Sequence, residues 1–204
     1  MSLIEPRQPA PVIKLKDQSG RTRTLQEFKG SPVVLFFYPQ DDTPTCTDEA
    51  CGFRDQNAEL TKRGAVVVGI SPDSAASHAK FSTKYKLPYI LLADEPDTKG
   101  VPSVAVAFGV WQEKNMYGRT YMGISRTTYL IGPDGRVARR WDKVRIKGHV
   151  QSVIDELALL GQNPHQTIRS TKKKKTKLAK LASRLVAPTQ AKPRKTTKKR
   201  STKG

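Results

Sequence analysis

Cysteine is scarce in this 204-residue chain. There are two, Cys46 and Cys51, with three histidines, His78, His149 and His165, and no Cys-x-x-Cys pair. A structural zinc takes about four ligands at short spacings, which these histidines do not show relative to the cysteines, so no metal is expected. Two cysteines five positions apart do not make the disulfide framework of a small exported domain. A static bridge closing so short a loop would gain only about 2 kcal/mol of chain entropy, with strain opposing it. Long apolar runs are missing too. No segment approaches the roughly 18 residues of a membrane span. Residues 1–10, with Glu5, Arg7 and two prolines, lack the apolar stretch of a secretory leader. A reducing interior, cytoplasmic or organellar, is the expectation, with nucleoid or nucleus open.

Acidic side chains are absent from the last part of the chain. Residues 165–204 hold 15 of the 37 Lys and Arg and none of the 18 Asp and Glu, so they carry +15 of the formal +19. The first 164 residues, with 22 basic and 18 acidic side chains, carry only +4. The chain therefore divides into a near-neutral domain, 1–163, long enough to bury a core, and a polycationic segment, 164–204.

Within the domain, residues 12–15 and 21–25 flank Asp17, Gln18, Ser19 and Gly20, a hairpin signal. Residues 32–38 form a Val, Leu and Phe run without polar alternation, the pattern of a strand covered on both faces. Residues 45–63 fit a helix ending at Gly64. A buried strand at 65–71, a helix at 74–86 and a third strand at 89–93 follow. Residues 94–111 are mixed. The stretch 95–103, with two prolines and a glycine, delays the next short helix to about Ser103. Residues 129–131 and 137–141 bracket a Gly-Pro-Asp-Gly turn, and a last helix spans about 148–160. Strands alternating with helices, then a hairpin and a helix, argue for an α/β sandwich of thioredoxin-like fold, a central mixed sheet flanked by helices.

The two cysteines lie where the strand at 33–38 passes into the helix. A thiol at that junction meets backbone N–H groups and the positive end of the helix dipole, a setting for a reactive cysteine. Cys46, at the start, is better placed to attack. An unperturbed thiol is only a few per cent ionised at neutral pH, and making it mostly anionic takes roughly 3–4 kcal/mol. A helix terminus supplies about 0.3–2 kcal/mol, so a cation must add the rest. Arg54 is about 12 Å along the helix and too far. Arg119 and Arg126 are not separable on these grounds. In an unbroken helix Cys46 and Cys51 have Cα atoms about 8.7 Å apart, beyond the roughly 4.4–6.8 Å of a disulfide. Bonding therefore requires the helix to open.

Pro39, Thr43 and Cys46 match the Pro-x-x-x-Thr-x-x-Cys signature of the peroxiredoxins. Residues 43–54, Thr-Pro-x-Cys-Thr-x-Glu-x-Cys-x-Phe-Arg, resemble the Q-type, or bacterioferritin-comigratory, subgroup. Residues 110–114 (Val-Trp-Gln-Glu-Lys) and 123–131 (Gly-Ile-Ser-Arg-Thr-Thr-Tyr-Leu-Ile) are similar to it as well. The resemblance implies a thioredoxin-like fold and a monomeric peroxidase without metal, haem or flavin. Cys46 is then the peroxidatic and Cys51 the resolving sulfur, and Arg126 the missing cation. Thr43 would bond the thiolate and the incoming peroxide, Pro39 would shield the sulfur and fix the loop, and Glu49 would orient Arg126. Hydrogen peroxide and organic hydroperoxides are the implied substrates, with thioredoxin or a similar dithiol as reductant.

From Arg169 onward there is no aromatic residue, and the composition cannot bury a core, so disorder is expected. Lys172, Lys173, Lys174, Lys175 and Lys177 form one basic cluster; Arg194, Lys195, Lys198, Lys199 and Arg200 belong to another. Between them Leu178, Leu181 and Leu185 could line one face of a short helix formed on contact with a partner. Polyanions, DNA or RNA bound without base specificity, are the natural partner, with an anionic membrane surface or a solubilising or targeting appendage, including nuclear import, as the alternatives. The competing reading of the whole chain is a non-specific nucleic-acid-binding protein whose thioredoxin-like body is only structural.

Overall fold

The computed structural model describes residues 2–116 and 118–162. A seven-stranded mixed sheet organises them, in the order β2 (Thr22–Thr24), β1 (Lys14–Asp17), β5 (Ile90–Ala93), β4 (Val66–Ser71), β3 (Val33–Phe37), β8 (Thr127–Ile131) and β9 (Val137–Asp142). β3, β4 and β5 run parallel, and β8 lies antiparallel to β3 on its other side. Every residue of β3 is buried. Its even-numbered side chains, Val34 and Phe36, pack with residues of α1 (Pro44–Asp55), α2 (Asn57–Lys62), α3 (Ala75–Tyr85) and α5 (His149–Gln162). Its odd-numbered ones, Val33, Leu35 and Phe37, pack with α4 (Ser103–Ala107), Phe108 and Tyr129. The layers are those of the thioredoxin-like fold.

One side chain sets the position of α1. Phe36 stacks on Phe53 of α1, with ring centroids 4.7 Å apart. Behind it Gly69 of β4 leaves the space, since a Cβ there would come within 2.7 Å of the Phe36 ring and 2.8 Å of Leu91. The buried residues of α1, Cys46, Glu49, Ala50 and Phe53, fall three, four and seven positions apart, the stripe of a helix laid on a sheet.

One expectation changes, and one hairpin is added. The helix expected at 45–63 is interrupted at Gln56 (φ −101°, ψ 6°), giving α1 and α2. At the break Arg54 turns aside to bond Asp55 and the Tyr85 carbonyl (2.9 Å), tying the end of α1 to α3. Residues 111–124 form a hairpin of their own, β6 (Trp111–Met116) against β7 (Arg119–Ile124). The short helix does begin at Ser103, because the Asp94 carboxylate accepts the Val104 and Ala105 N–H groups at 3.1 and 2.7 Å. No helix among the described residues is long and apolar enough to cross a membrane.

Candidate active site

β3 ends at Phe37, and residues 38–43 lead into α1. The turn is made by Asp42, in the left-handed region at φ 56°, which Asp tolerates better than most residues. Pro44 occupies the first turn of α1, where its missing N–H costs nothing. Lys84 (2.6 Å) and the Tyr85 hydroxyl (2.6 Å) hold the Asp42 carboxylate on α3. Thr43 stands at the N-cap position with extended backbone, yet its hydroxyl caps nothing. It donates instead to the Gln40 carbonyl at 3.2 Å. The first intrahelical bond is that of Thr47 N–H to the Thr43 carbonyl, 2.8 Å. The N–H groups of Thr45 and Cys46 thus have no acceptor within the helix, and positive backbone dipoles gather at Cys46.

Cys46 is 2% exposed. Arg126 Nη2 lies 3.1 Å from its Sγ, while Nη1 of the same guanidinium pairs with Glu49. Arg126 sits in the short link between β7 and β8. Since Phe37 of β3 pairs with Thr127 of β8, the residue before Thr127 falls beside the exit of β3, where the loop to Cys46 begins. Arg119 pairs instead with Met116 at the far end of the hairpin and is exposed. Of the two arginines that the residues alone left open, Arg126 is the one beside Cys46.

Glu49 is 1% exposed, and one of its oxygens has no hydrogen-bond partner among the described residues. Burial pushes its carboxyl up to about 7, against the pull of Arg126. A second cation stands close by. Lys114 of β6 donates from Nζ to the Ile124 carbonyl, two residues before Arg126. Burial and the Arg126 charge hold it below the usual lysine range, while Cys46 draws it the other way. Cys51, part-way buried on α1, is a free thiol like Cys46. Burial raises it and the nearby Arg54 opposes the rise. Pro39 is exposed at the end of β3.

The structure therefore brings together Cys46, Arg126 and Glu49, with Thr43 and Pro39 on the adjoining loop and Cys51 farther along the same helix. The basic residues named between 172 and 200 lie outside the described residues. Sequence reasoning passed over Lys114, although it ends one of the strings that carried the resemblance. It also missed a buried polar cluster beneath the loop. There the Asp41 carboxylate accepts from the Tyr38 and Ser77 hydroxyls, both at 2.8 Å, and meets His78 Nδ1 at 2.9 Å.

Known proteins share this arrangement of elements. The AhpC/TSA family model matches residues 6–140. The chain belongs to the peroxiredoxins. Peroxiredoxin Bcp of Bacillus subtilis is 44% identical over 154 residues, covering 76% of this chain and 95% of that protein. Among solved structures, the Xanthomonas campestris bacterioferritin comigratory protein, studied for its alkyl peroxide reduction activity, superposes with a TM-score of 0.67 at 37% identity. That match covers 72% of this chain and 90% of the other. PrxQ of Xylella fastidiosa gives a TM-score of 0.70 at 30% identity, covering 79% and 100%. This peroxiredoxin is of the Bcp or Q type and is a thiol peroxidase, an enzyme that takes a peroxide and a reductant.

Proposed function

We propose that the chain reduces hydroperoxides through a two-cysteine cycle, with Cys46 as the attacking sulfur and Cys51 as the resolving one. The observation that carries this reading is the guanidinium of Arg126, 3.1 Å from Cys46 Sγ, at a helix start whose first backbone N–H groups have no acceptor within the helix. Both favour negative charge on the sulfur. The thiolate attacks one peroxide oxygen, the O–O bond breaks, and the other oxygen leaves as an alkoxide or hydroxide that takes up a proton. Cys46 becomes a sulfenic acid. Charge on the departing oxygen is met by Arg126 and the Cys46 N–H, with Thr43 orienting the peroxide, Glu49 holding Arg126, and Pro39 fixing the loop. The Cys51 thiol then attacks the sulfenic sulfur, a disulfide forms and water leaves. With no Cys-x-x-Cys of its own, the chain relies on an external dithiol such as thioredoxin, whose oxidation returns both thiols. Hydrogen peroxide and organic hydroperoxides are the substrate class, the latter supported by the alkyl peroxide activity of the Xanthomonas relative.

The test is peroxide-dependent oxidation of thioredoxin by the full chain. Cys46→Ser abolishes turnover, whereas Cys51→Ser consumes one equivalent of peroxide and stops without thioredoxin recycling. Full activity in the Cys46 variant would end this reading.

The enzyme acts as a cytoplasmic monomer, and residues 164–204 serve as a polyanion tether, a reading supported by their charge of +15 within residues 165–204. Duplex DNA binding by the full chain then weakens steeply with salt, and a chain ending at Asn163 does not bind. Salt-independent affinity, or equal binding by the shortened chain, refutes the tether.

A further inference from the structure

The peptide joining Gln40 and Asp41 is held at both ends. Its N–H donates to Asp73 Oδ2 at 2.8 Å, and its carbonyl accepts the Thr43 hydroxyl at 3.2 Å. Asp73 is itself fixed, its Oδ2 accepting from the Ser71 hydroxyl at 2.6 Å at the end of β4. Rotation of that peptide plane would break both bonds together and release the Thr43 side chain.

The Asp41 side chain holds the same peptide from the other direction. Its carboxylate, 4% exposed, takes the Tyr38 and Ser77 hydroxyls and faces His78 Nδ1 at 2.9 Å. His78 is wholly buried, and its Nε2 has no partner among the described residues. The ring hydrogen is therefore assigned to Nδ1, where it donates to the carboxylate. A buried carboxylate is costly unless such donors surround it. The turn does not need this arrangement, because left-handed Asp42 and Pro44 already shape its backbone. What the cluster adds is orientation of one peptide, and that peptide carries the acceptor for Thr43.

We propose that Asp41, His78 and Asp73 are positioning residues of the peroxidase site, which orient the peptide between Gln40 and Asp41 and through its carbonyl fix the Thr43 hydroxyl. With its hydrogen on the Gln40 carbonyl, the Thr43 oxygen offers only lone pairs, so it receives the O–H of an incoming hydroperoxide and aligns the O–O bond on Cys46. His78 and Asp73 reach the peroxide only through Thr43, whereas Cys46 and Arg126 are untouched by them. The inference rests on the peroxidase reading and assigns it three further residues.

The experiment compares two rates on the reduced full-length chain: consumption of one equivalent of hydrogen peroxide, and alkylation of Cys46 by iodoacetamide, located by mass. Peroxide needs Thr43 aligned; iodoacetamide needs only the sulfur and its cation. In His78→Leu and Asp73→Ala the peroxide rate falls by about tenfold, the scale of one hydrogen bond, while the alkylation rate shifts by less than about twofold. His78→Asn and Asp73→Asn keep a donor or acceptor at the same place, and their peroxide rates return to within about threefold of the parent. An unchanged peroxide rate, a parallel change in both rates, or no recovery in the Asn variants overturns the proposal. If His78→Leu does not fold, Ser77→Ala, at a half-buried position, removes one donor from Asp41 and lowers the peroxide rate about threefold; no fall there also overturns it. A parent chain no faster than Cys46→Ser would instead sink the peroxidase reading itself.

Discussion

A disulfide between Cys46 and Cys51 would require part of α1 to be dismantled. Both cysteines are free on one intact helix, where their Cα atoms are about 8.7 Å apart, and a bridge needs about 2 Å less at its widest. The segment that opens carries five helical bonds, from the N–H groups of residues 47–51 to the carbonyls of residues 43–47. At about 1 kcal/mol each, their loss removes about 5 kcal/mol of local protection. Amide exchange in that segment then speeds up by about three to four orders of magnitude. The opening stops short of Phe53, whose burial against Phe36 contributes about 1.5–3 kcal/mol. Hydrogen exchange with fragment mass analysis, run on the dithiol and disulfide forms, reads this directly. Fragments over residues 44–51 lose protection in the disulfide form, while those over α3 and α5 keep theirs. The Cys51→Ser protein treated with peroxide reaches the sulfenic acid without a bridge and stays protected. Equal protection of residues 44–51 in dithiol and disulfide forms refutes the geometry.

Replacing Arg126 by Met removes a charge-assisted bond to sulfur, about 1.5–3 kcal/mol, and the peroxide rate drops by about 10- to 150-fold. It also strands buried Glu49, so adding Glu49→Gln recovers melting temperature but not rate; recovery of rate would exclude a direct role for the guanidinium. His149, buried with Nε2 2.8 Å from the Thr128 hydroxyl, is held down to about 4 by burial and by the Arg126 charge. Its folded value lies below its ordinary 6.5, so the unfolded chain binds the proton first. The stability it contributes is present above about pH 6.5 and is lost as pH falls toward 4, by up to about 3 kcal/mol. Urea titrations from pH 7 to 4 show this slope, and His149→Asn flattens it. An equal slope in that variant places the acid sensitivity elsewhere.

The reach of the sequence can be followed residue by residue. β3 was legible because a continuous run of Val, Leu and Phe suits a strand with both faces covered, as it is. Ser103 as a helix start followed from the prolines before it. The hairpin of β6 and β7 was not, since Gln112, Glu113, Lys114 and Asn115 put polar side chains on both faces and erase the two-residue period. Cys46 could be found from its place between strand and helix. Its cation could not be derived from local pattern, because the register of β8 on β3 is what sets Arg126 beside the sulfur. The cluster of Asp41, Asp73 and His78 is tertiary in the same sense. Asp41 lies more than thirty positions before Asp73 and His78 and meets them only when the segment leading into α3 packs over the exit of β3.

One cation serving two acids on successive turns of a helix has a consequence for protons. Arg126 faces both Cys46 Sγ and Glu49, and burial lifts the Glu49 carboxyl to about 7 against the pull of that cation. Oxygen transfer leaves the sulfur uncharged, and the guanidinium then belongs to the carboxylate alone, which favours the ionised acid. Any hydrogen ion that oxidation draws from Glu49 at neutrality is thus a fraction of one, in addition to those carried by peroxide and thiol.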